Sequence, residues 1–159
     1  MGISAAPGMT SEEIVALSRE HTLFSWSVQG ALDPIAIDHA EGVYLYTPEG
    51  RRILDFNAQL MSVNIGHGDR RVVDAITEQA TKLQYVQPAF ATEIRARLGA
   101  KLAEILPGDM NKVFFTLGGA EAIENAIKIA RHHTGRYKLL ARYRSYHGAT
   151  FGAMTLTGD

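Results

Sequence analysis

The stretch KVFFTLGGAEAIENAIKIARHHTGRYKLLARY, residues 112 to 143, constrains the fold more than any other part of the chain. KVFFTL is rich in strand formers and too short for a helix. Gly118 and Gly119 interrupt it, and Ile123, Ala126, Ile127 and Ala130 then recur at i, i+3, i+4 and i+7, the period of a helix with one apolar face. Glu121 and Glu124 stand near the start of that helix and Lys128 and Arg131 near its end, as the helix macrodipole favours. After Gly135, KLLARY at 138–143 reads as a second strand. Strand, glycine turn, helix, strand predicts parallel strands joined by a right-handed crossover, which makes the chain α/β.

Upstream, Thr10 or Ser11 can cap a helix running through Leu17, with Glu12 and Glu13 in its first turn, behind a loose arm at residues 1–9. HTLFSWSVQGALDP, 21–34, has no clean period and reads as loop. VYLYT and RRILDF flank Pro48-Glu49-Gly50, so 43–56 is predicted to be a β-hairpin. From a cap at Asp69, Val72, Val73, Ile76, Ala80 and Leu83 mark a helix. Ile94, Leu98, Leu102 and Ile105 mark another, stopped by Pro107 and Gly108.

The chain's 159 residues carry 16 basic and 17 acidic side chains, so charge gives no reason to expect nucleic acid or an anionic membrane as partner. A small molecule is the expected ligand. There is no cysteine, which removes disulfides, a thiolate nucleophile and cysteine-ligated zinc, and permits a reducing compartment. MGISAAPGMTSEEIVALSRE lacks a basic region followed by an apolar one, and no eighteen apolar residues run together. Gly2 would suit myristoylation, but Ala6 stands where that motif needs Ser or Thr. A cytoplasmic location is the expectation.

Three segments can carry chemistry. At Gly118, Gly119 and Ala120, backbone N–H groups and a helix dipole can converge on an anion such as phosphate. The same two glycines can instead be a plain tight turn that needs positive φ, the reading the pattern alone favours. RSYHGAT, 144–150, follows the second expected strand and so falls at the same carboxyl edge of the sheet, where open α/β proteins bind ligands. Tyr146 can stack on a flat ligand and His147 can donate or exchange a proton, or the two can be a half-buried aromatic and a backbone-bonded loop histidine. In QLMSVNIGHGD, 59–69, Met61 either lines a pocket or fills a core gap. Trp26 is either a hydrophobic anchor, the reading preferred here, or a ligand wall. His39, His67 and His147 are scattered and His132 and His133 are adjacent, so no metal site is expected.

Taken together, EGVYLYTPEGRRILDF, NIGHGDRRVVDAITEQ, FFTLGGAEAIENAIKIAR and YRSYHGATFGAMTLTG resemble, in that order, the N-terminal hairpin, the Gly-His segment with its helix, the phosphate-cup helix and the ring-stacking segment of the class-III aminotransferases. These are pyridoxal-phosphate enzymes of fold type I, and the resemblance runs from about position 20 to the end. It implies an N-terminal arm and helix at 1–20, a small-domain segment with the hairpin at 21–68, and the incomplete start of the large α/β cofactor domain at 69–159. It implies pyridoxal 5'-phosphate as cofactor, held at Gly118, Gly119 and Ala120 mainly by the last two backbone amides, with Tyr146 stacked on the ring and His147 shaping that loop. The family usually has Asn-Ser-Gly-Ser/Thr where this chain has Leu117-Gly118-Gly119-Ala120, so hydroxyl contacts to phosphate are lost while backbone contacts survive. Substrate contacts are implied for Phe24 or Trp26 and for the loop of Leu60, Met61 and Ser62, often across a homodimer interface.

The resemblance also requires a Schiff-base lysine and an acid paired with the pyridine nitrogen. Lys82, Lys101, Lys112, Lys128 and Lys138 match family segments that lack the catalytic lysine, so both groups are expected beyond this chain, which would be inactive alone. The expected activity of the complete protein is transfer of an amino group from an amine or amino acid to a keto acid or aldehyde. The alternatives are an aminomutase, racemase or decarboxylase of the same family, or a non-catalytic remnant that binds a phosphorylated ligand or a partner chain.

Overall fold

The computed structural model describes residues 8–158; residues 1–7 of the expected N-terminal arm, Gly2 and Ala6 among them, lie outside the described residues. The chain forms two compact units, Met1–Val86 and Gln87–Asp159.

In the first unit, α1 (Ser11–His21) begins at Thr10 in a full capping box. The Glu13 amide donates to Thr10 Oγ1 at 3.2 Å and the Thr10 amide to Glu13 Oε2 at 2.9 Å, so two otherwise orphaned donors are satisfied reciprocally. The helix outruns its expected end at Leu17 by a full turn, because Ser18, Arg19 and Glu20 contain no breaker and Arg19 and His21 suit its negative end. Arg19 then donates to the Leu32 carbonyl at 2.6 Å and reaches Asp33. Of the 21–34 stretch expected to be loop, His21 ends α1 and residues 22–34 are loop apart from a 3-10 turn at Gln29–Ala31.

The expected hairpin is present as part of a larger antiparallel sheet, ordered β1 (His39–Glu41), β2 (Tyr44–Tyr46), β3 (Arg52–Leu54). Tyr44 pairs with Leu54, Leu45 with Ile53 and Tyr46 with Arg52. Gly50, at φ +82, closes the turn with its amide on the Thr47 carbonyl at 2.9 Å. β1 is absent from the sequence reading, since His-Ala-Glu has no strand signature. Cross-strand contact makes the pairing favourable: His39 stacks on Tyr46 at 4.6 Å between centroids, and the Arg52 guanidinium sits 4.4 Å over the Tyr44 ring on the next pair. A single left-handed turn, α2 (Ala58–Met61), follows, and α3 (Arg70–Lys82) starts at the expected cap, with Asp69 accepting from the Arg71 amide at 3.0 Å.

The second unit contains α4 (Glu93–Ile105), α5 (Gly119–Thr134) and α6 (Phe151–Met154). α5 ends at Gly135, whose φ of +66 lets its amide reach the Arg131 carbonyl at 2.9 Å. The two strands expected at 112–117 and 138–143 do not form: no ladder joins either segment to another among the described residues. Strand propensity records fitness for a pleated surface, and without a neighbour in register there is no ladder to fit. Phe114, Leu117, Leu140 and Tyr143 consequently remain exposed, while Ile127 on the inner face of α5 and Ala153 of α6 are buried.

The start of α1 is tied to the hairpin turn by Glu49, which accepts from the Ser11 amide at 3.0 Å and from its hydroxyl at 2.6 Å. The Ser11 hydroxyl, then the amide, pull the Glu49 carboxyl down to about 2. A carboxyl depressed on folding stabilises the fold fully above its free value, about 4.3, and the contribution is lost as pH falls toward the folded value. The ratio of Ser11 amide hydrogen exchange in Glu49→Gln to that in wild type is therefore expected to be largest above pH 4.5 and to shrink toward one as pH approaches 2.

Candidate functional site

The double glycine of LGGAEAI opens α5 with no side-chain cap. Gly118 is the N-cap, in extended backbone at φ −166, and the first intrahelical bond runs from the Ala122 amide to the Gly118 carbonyl at 3.0 Å. The amides of Gly119, Ala120 and Glu121 precede that donor and are the first-turn groups with no intrahelical partner. Neither Gly118 nor Gly119 sits at positive φ, and a β-carbon on either would meet nothing within 4 Å. A tight turn thus does not demand these glycines. Their effect is to leave the amides uncovered at the positive end of a sixteen-residue helix. Glu121, the acid nearest those amides, is turned back to accept from the Leu117 amide at 2.9 Å.

The RSYHGAT loop comes to the same place. A cleft of about 540 Å³ is lined by Gly119, Ala120, Ala122, Ile123, Tyr146, His147 and Gly148. Two segments picked out separately in the sequence therefore share one cavity. Small residues of the first turn of α5 line it together with an aromatic ring, a combination suited to a flat, anionic ligand.

Three residues that sequence reasoning passed over hold the loop there. Gly148 is buried at φ +131, and a β-carbon on it would lie 2.6 Å from Ala120 Cβ and 3.1 Å from Ala153 Cβ. Here glycine is required, on both conformational and steric grounds. Thr157 Oγ1 accepts from the His147 amide at 3.1 Å, and the Gly158 amide donates to the Ser145 carbonyl at 2.9 Å, closing the loop on itself. Glu124, one turn into α5, accepts at Oε1 from the Thr150 hydroxyl at 2.7 Å, the Gly152 amide at 2.7 Å and the Ala153 amide at 3.0 Å. The Thr150 hydroxyl, followed by the Ala153 amide, holds the Glu124 carboxyl below the usual carboxylate range. The sequence reading gave Glu124 only a dipole role. The available signal was its spacing: it lies one turn beyond Glu121, on the side of Ile123 and Ile127.

The remaining candidates lie in the first unit. Phe24 is half-buried in the loop after α1, with its amide and carbonyl both bonded to the Gln29 side chain at 3.0 and 2.6 Å. Trp26, at φ +58, is 73% exposed, so it is not the hydrophobic anchor that was preferred for it. Met61 is 71% exposed and fills no core gap. It ends α2, in which Ala58, Gln59, Leu60 and Met61 have φ of 50, 49, 58 and 58°. A left-handed run of L-residues costs roughly 1–2 kcal/mol per residue. Behind the turn, His67 Nε2 meets Asp55 Oδ2 at 2.7 Å, with the side chains only 14% and 4% exposed.

Comparison with known proteins gives the arrangement a context. The family described as Aminotransferase class-III matches residues 27–159. The chain is 40% identical over 127 residues to the isoleucine 2-epimerase of Lentilactobacillus buchneri, covering 79% of this chain and 28% of that protein. It is 36% identical over 139 residues to the acetylornithine aminotransferase of Archaeoglobus fulgidus, covering 87% and 36%. The solved taurine:2-oxoglutarate aminotransferase of Bifidobacterium kashiwanohense, in complex with PLP and glutamate, superposes with a TM-score of 0.91 at 41% identity, covering 97% of this chain and 34% of that one. The chain thus spans about a third of the length of the relatives it matches.

The close approach of Gly148 to Ala120 carries a direct expectation. Gly148→Ala should destabilise the intact protein by about 1–3 kcal/mol, the usual cost of overpacking, and thermal unfolding measures it. Gly118→Ala, at an uncrowded extended position, should change the melting temperature far less.

Proposed function

Because the chain belongs to the class-III aminotransferase family, we propose that it forms the phosphate cup and ring-stacking loop of a transaminase that passes an amino group from an amine or amino acid to a keto acid or aldehyde. The fold is that of the fold type I transaminases, and the cofactor is pyridoxal phosphate. The observation that carries the reading is the single cleft shared by Gly119 and Ala120 with Tyr146 and His147.

The residues fit the cofactor without the family's usual hydroxyls. The amides of Gly119 and Ala120 would hold phosphate oxygens, with the α5 dipole supplying a positive field where no lysine or arginine lines the cleft. Gly118 keeps the approach open. Tyr146 covers the pyridine ring, and His147, tied through its amide to Thr157, fixes where Tyr146 stands. Pyridoxal phosphate supplies the electron sink for breaking a bond at the amine carbon. None of the five lysines lines this cleft, so the lysine that carries the cofactor and moves the proton, and the acid that pairs with the ring nitrogen, are assigned to other parts of the complete protein. Phe24 or Trp26 and the Leu60–Met61 turn are assigned to the amine substrate, by family resemblance. A cytoplasmic homodimer is the working form, and among the described residues no helix is long and apolar enough to cross a membrane.

The likeness to isoleucine 2-epimerase supports a second reading, in which the same cup serves inversion at an amino-acid α-carbon. The two differ in their need for an acceptor: transamination stops without a keto acid or aldehyde, whereas epimerisation continues.

Pyridoxal phosphate added to the intact protein is expected to give the visible absorption band of the lysine-bound cofactor, and absence of that band at saturating cofactor overturns both readings. Gly119→Pro tests the cup itself. Proline is favoured at the first helical position and Gly118 before it is already extended, so the helix should survive while one phosphate-facing amide is lost. The expected result is unchanged helical circular dichroism with cofactor affinity reduced about tenfold, the scale of one charge-assisted hydrogen bond.

A further inference from the structure

The α2 turn is costly for its residues, and two side chains that precede it reach into it: Asn57 Oδ1 accepts from the Leu60 amide at 3.4 Å, and the Asp55 carboxylate takes the Gln59 amide. Four consecutive residues that are not glycine have positive φ, which places each Cβ against the following carbonyl. Within the turn, the Met61 amide donates to the Asn57 carbonyl at 2.9 Å and the Ser62 amide to the Ala58 carbonyl at 2.8 Å. Nothing in the composition of Ala-Gln-Leu-Met favours this hand, so the constraint comes from outside the turn.

Asp55 supplies it. Its Oδ1 accepts from the Gln59 amide at 3.1 Å, inside the turn, while its Oδ2 meets His67 Nε2 at 2.7 Å. Both partners are anchored to the sheet side of the unit. The Asp55 amide donates to the Val43 carbonyl at 2.9 Å. The His67 backbone exchanges two hydrogen bonds with Gly42, at 2.7 and 3.0 Å, and a β-carbon on Gly66 would press on the Gly42 carbonyl at 3.1 Å. Residues 55 and 67 are thereby fixed at both ends of the loop, and the carboxylate between them reaches in to hold the turn by its second residue.

We propose that Asp55 and His67 form a positioning clamp that keeps Ala58–Met61 left-handed, and that this turn sets which amine side chains are accepted by fixing Leu60 and Met61. The second half rests on the assignment of that turn to the substrate made above. Neither residue touches the reacting atoms; both act through the backbone of the turn. Leu60 and Met61 are exposed apolar side chains on consecutive left-handed residues, so a change of hand would redirect both together.

The test uses the intact, cofactor-loaded protein with two readouts. In Asp55→Asn, amide exchange at Gln59 and at Met61 to Val63 should accelerate at least tenfold, while that of β2 and α3 stays within about twofold of wild type. The KM for the amine donor that wild type turns over fastest should rise about tenfold, with the visible cofactor band and cofactor affinity unchanged. Adding Ala58→Gly and Gln59→Gly, which remove the Cβ penalty at positive φ, should bring KM back to within about threefold. His67→Gln, which keeps an N–H donor, should behave like wild type. If Asp55→Asn does not fold, His67→Ala, which leaves the Oδ1 bond to Gln59 in place, should accelerate the same amides about threefold. Unchanged exchange across 57–63 overturns the clamp. Faster exchange with unchanged KM, or failure of the double glycine to rescue, overturns the link to substrate choice. A wild-type protein that forms no cofactor band overturns the transaminase reading and the substrate half, while the exchange readout still decides the clamp.

Discussion

The candidate site depends on the carboxylate of Glu124. α5 carries the uncovered amides, and the loop carrying Tyr146 and His147 lies more than twenty residues further on. The contact that returns this loop to the helix is Glu124 Oε1, which takes the Thr150 hydroxyl and two α6 amides at once. A charged acceptor with three donors makes a stronger tie than a neutral one, and the depressed carboxyl is the same statement in terms of protonation. Given that tie, Gly148 can settle on Ala120, and the small residues at both positions let the backbone segments close to contact. Gly119 and Ala120 share a cleft with Tyr146 and His147 because this carboxylate ties the loop to the helix.

The same device recurs elsewhere in the chain. Glu49 binds the first amide of α1 to the hairpin turn, and Asp55 binds the α2 turn to His67. In each case a carboxylate satisfies backbone donors that have no partner within their own element, as first-turn amides or the amides of a strained turn must be satisfied. These ties matter because apolar burial is slight: among the described residues the buried hydrophobic side chains are Ala36, Ile127 and Ala153.

Much of the local structure was legible in the sequence because it is set by neighbours along the chain. Thr10 and Asp69 cap the helices expected of them, the Pro-Glu-Gly turn closes the hairpin, and the i, i+3, i+4 spacing of Ile123, Ala126 and Ile127 gives α5. The failures share a cause. KVFFTL and KLLARY have strand composition but, among the described residues, no partner in register, and β1 has a partner but no strand composition. Pairing lies between segments, and one segment's residues do not report it. At the site, Gly118 to Ala120 and Tyr146 to His147 were visible as motifs. Gly148, Thr157 and Glu124 were not, since their work is to fit one motif against the other.

The sequence by itself determined the family and the places of the four long helices, and it put glycine and alanine at the start of α5, where side chains offer no donors and backbone amides do. Those features follow from residue identity and spacing over a few turns. Only the tertiary structure decided that the double glycine is not a positive-φ turn, that Tyr146 and His147 line the same cleft as Gly119 and Ala120, and that four ordinary residues at 58–61 wind left-handed. The shared cleft, and the Asp55–His67 contact beside the left-handed turn, depend on residues twelve or more apart in the chain meeting within hydrogen-bonding distance. Such meetings are fixed by long-range bonds from Asp55 and Glu124, for which local propensity carries no signal.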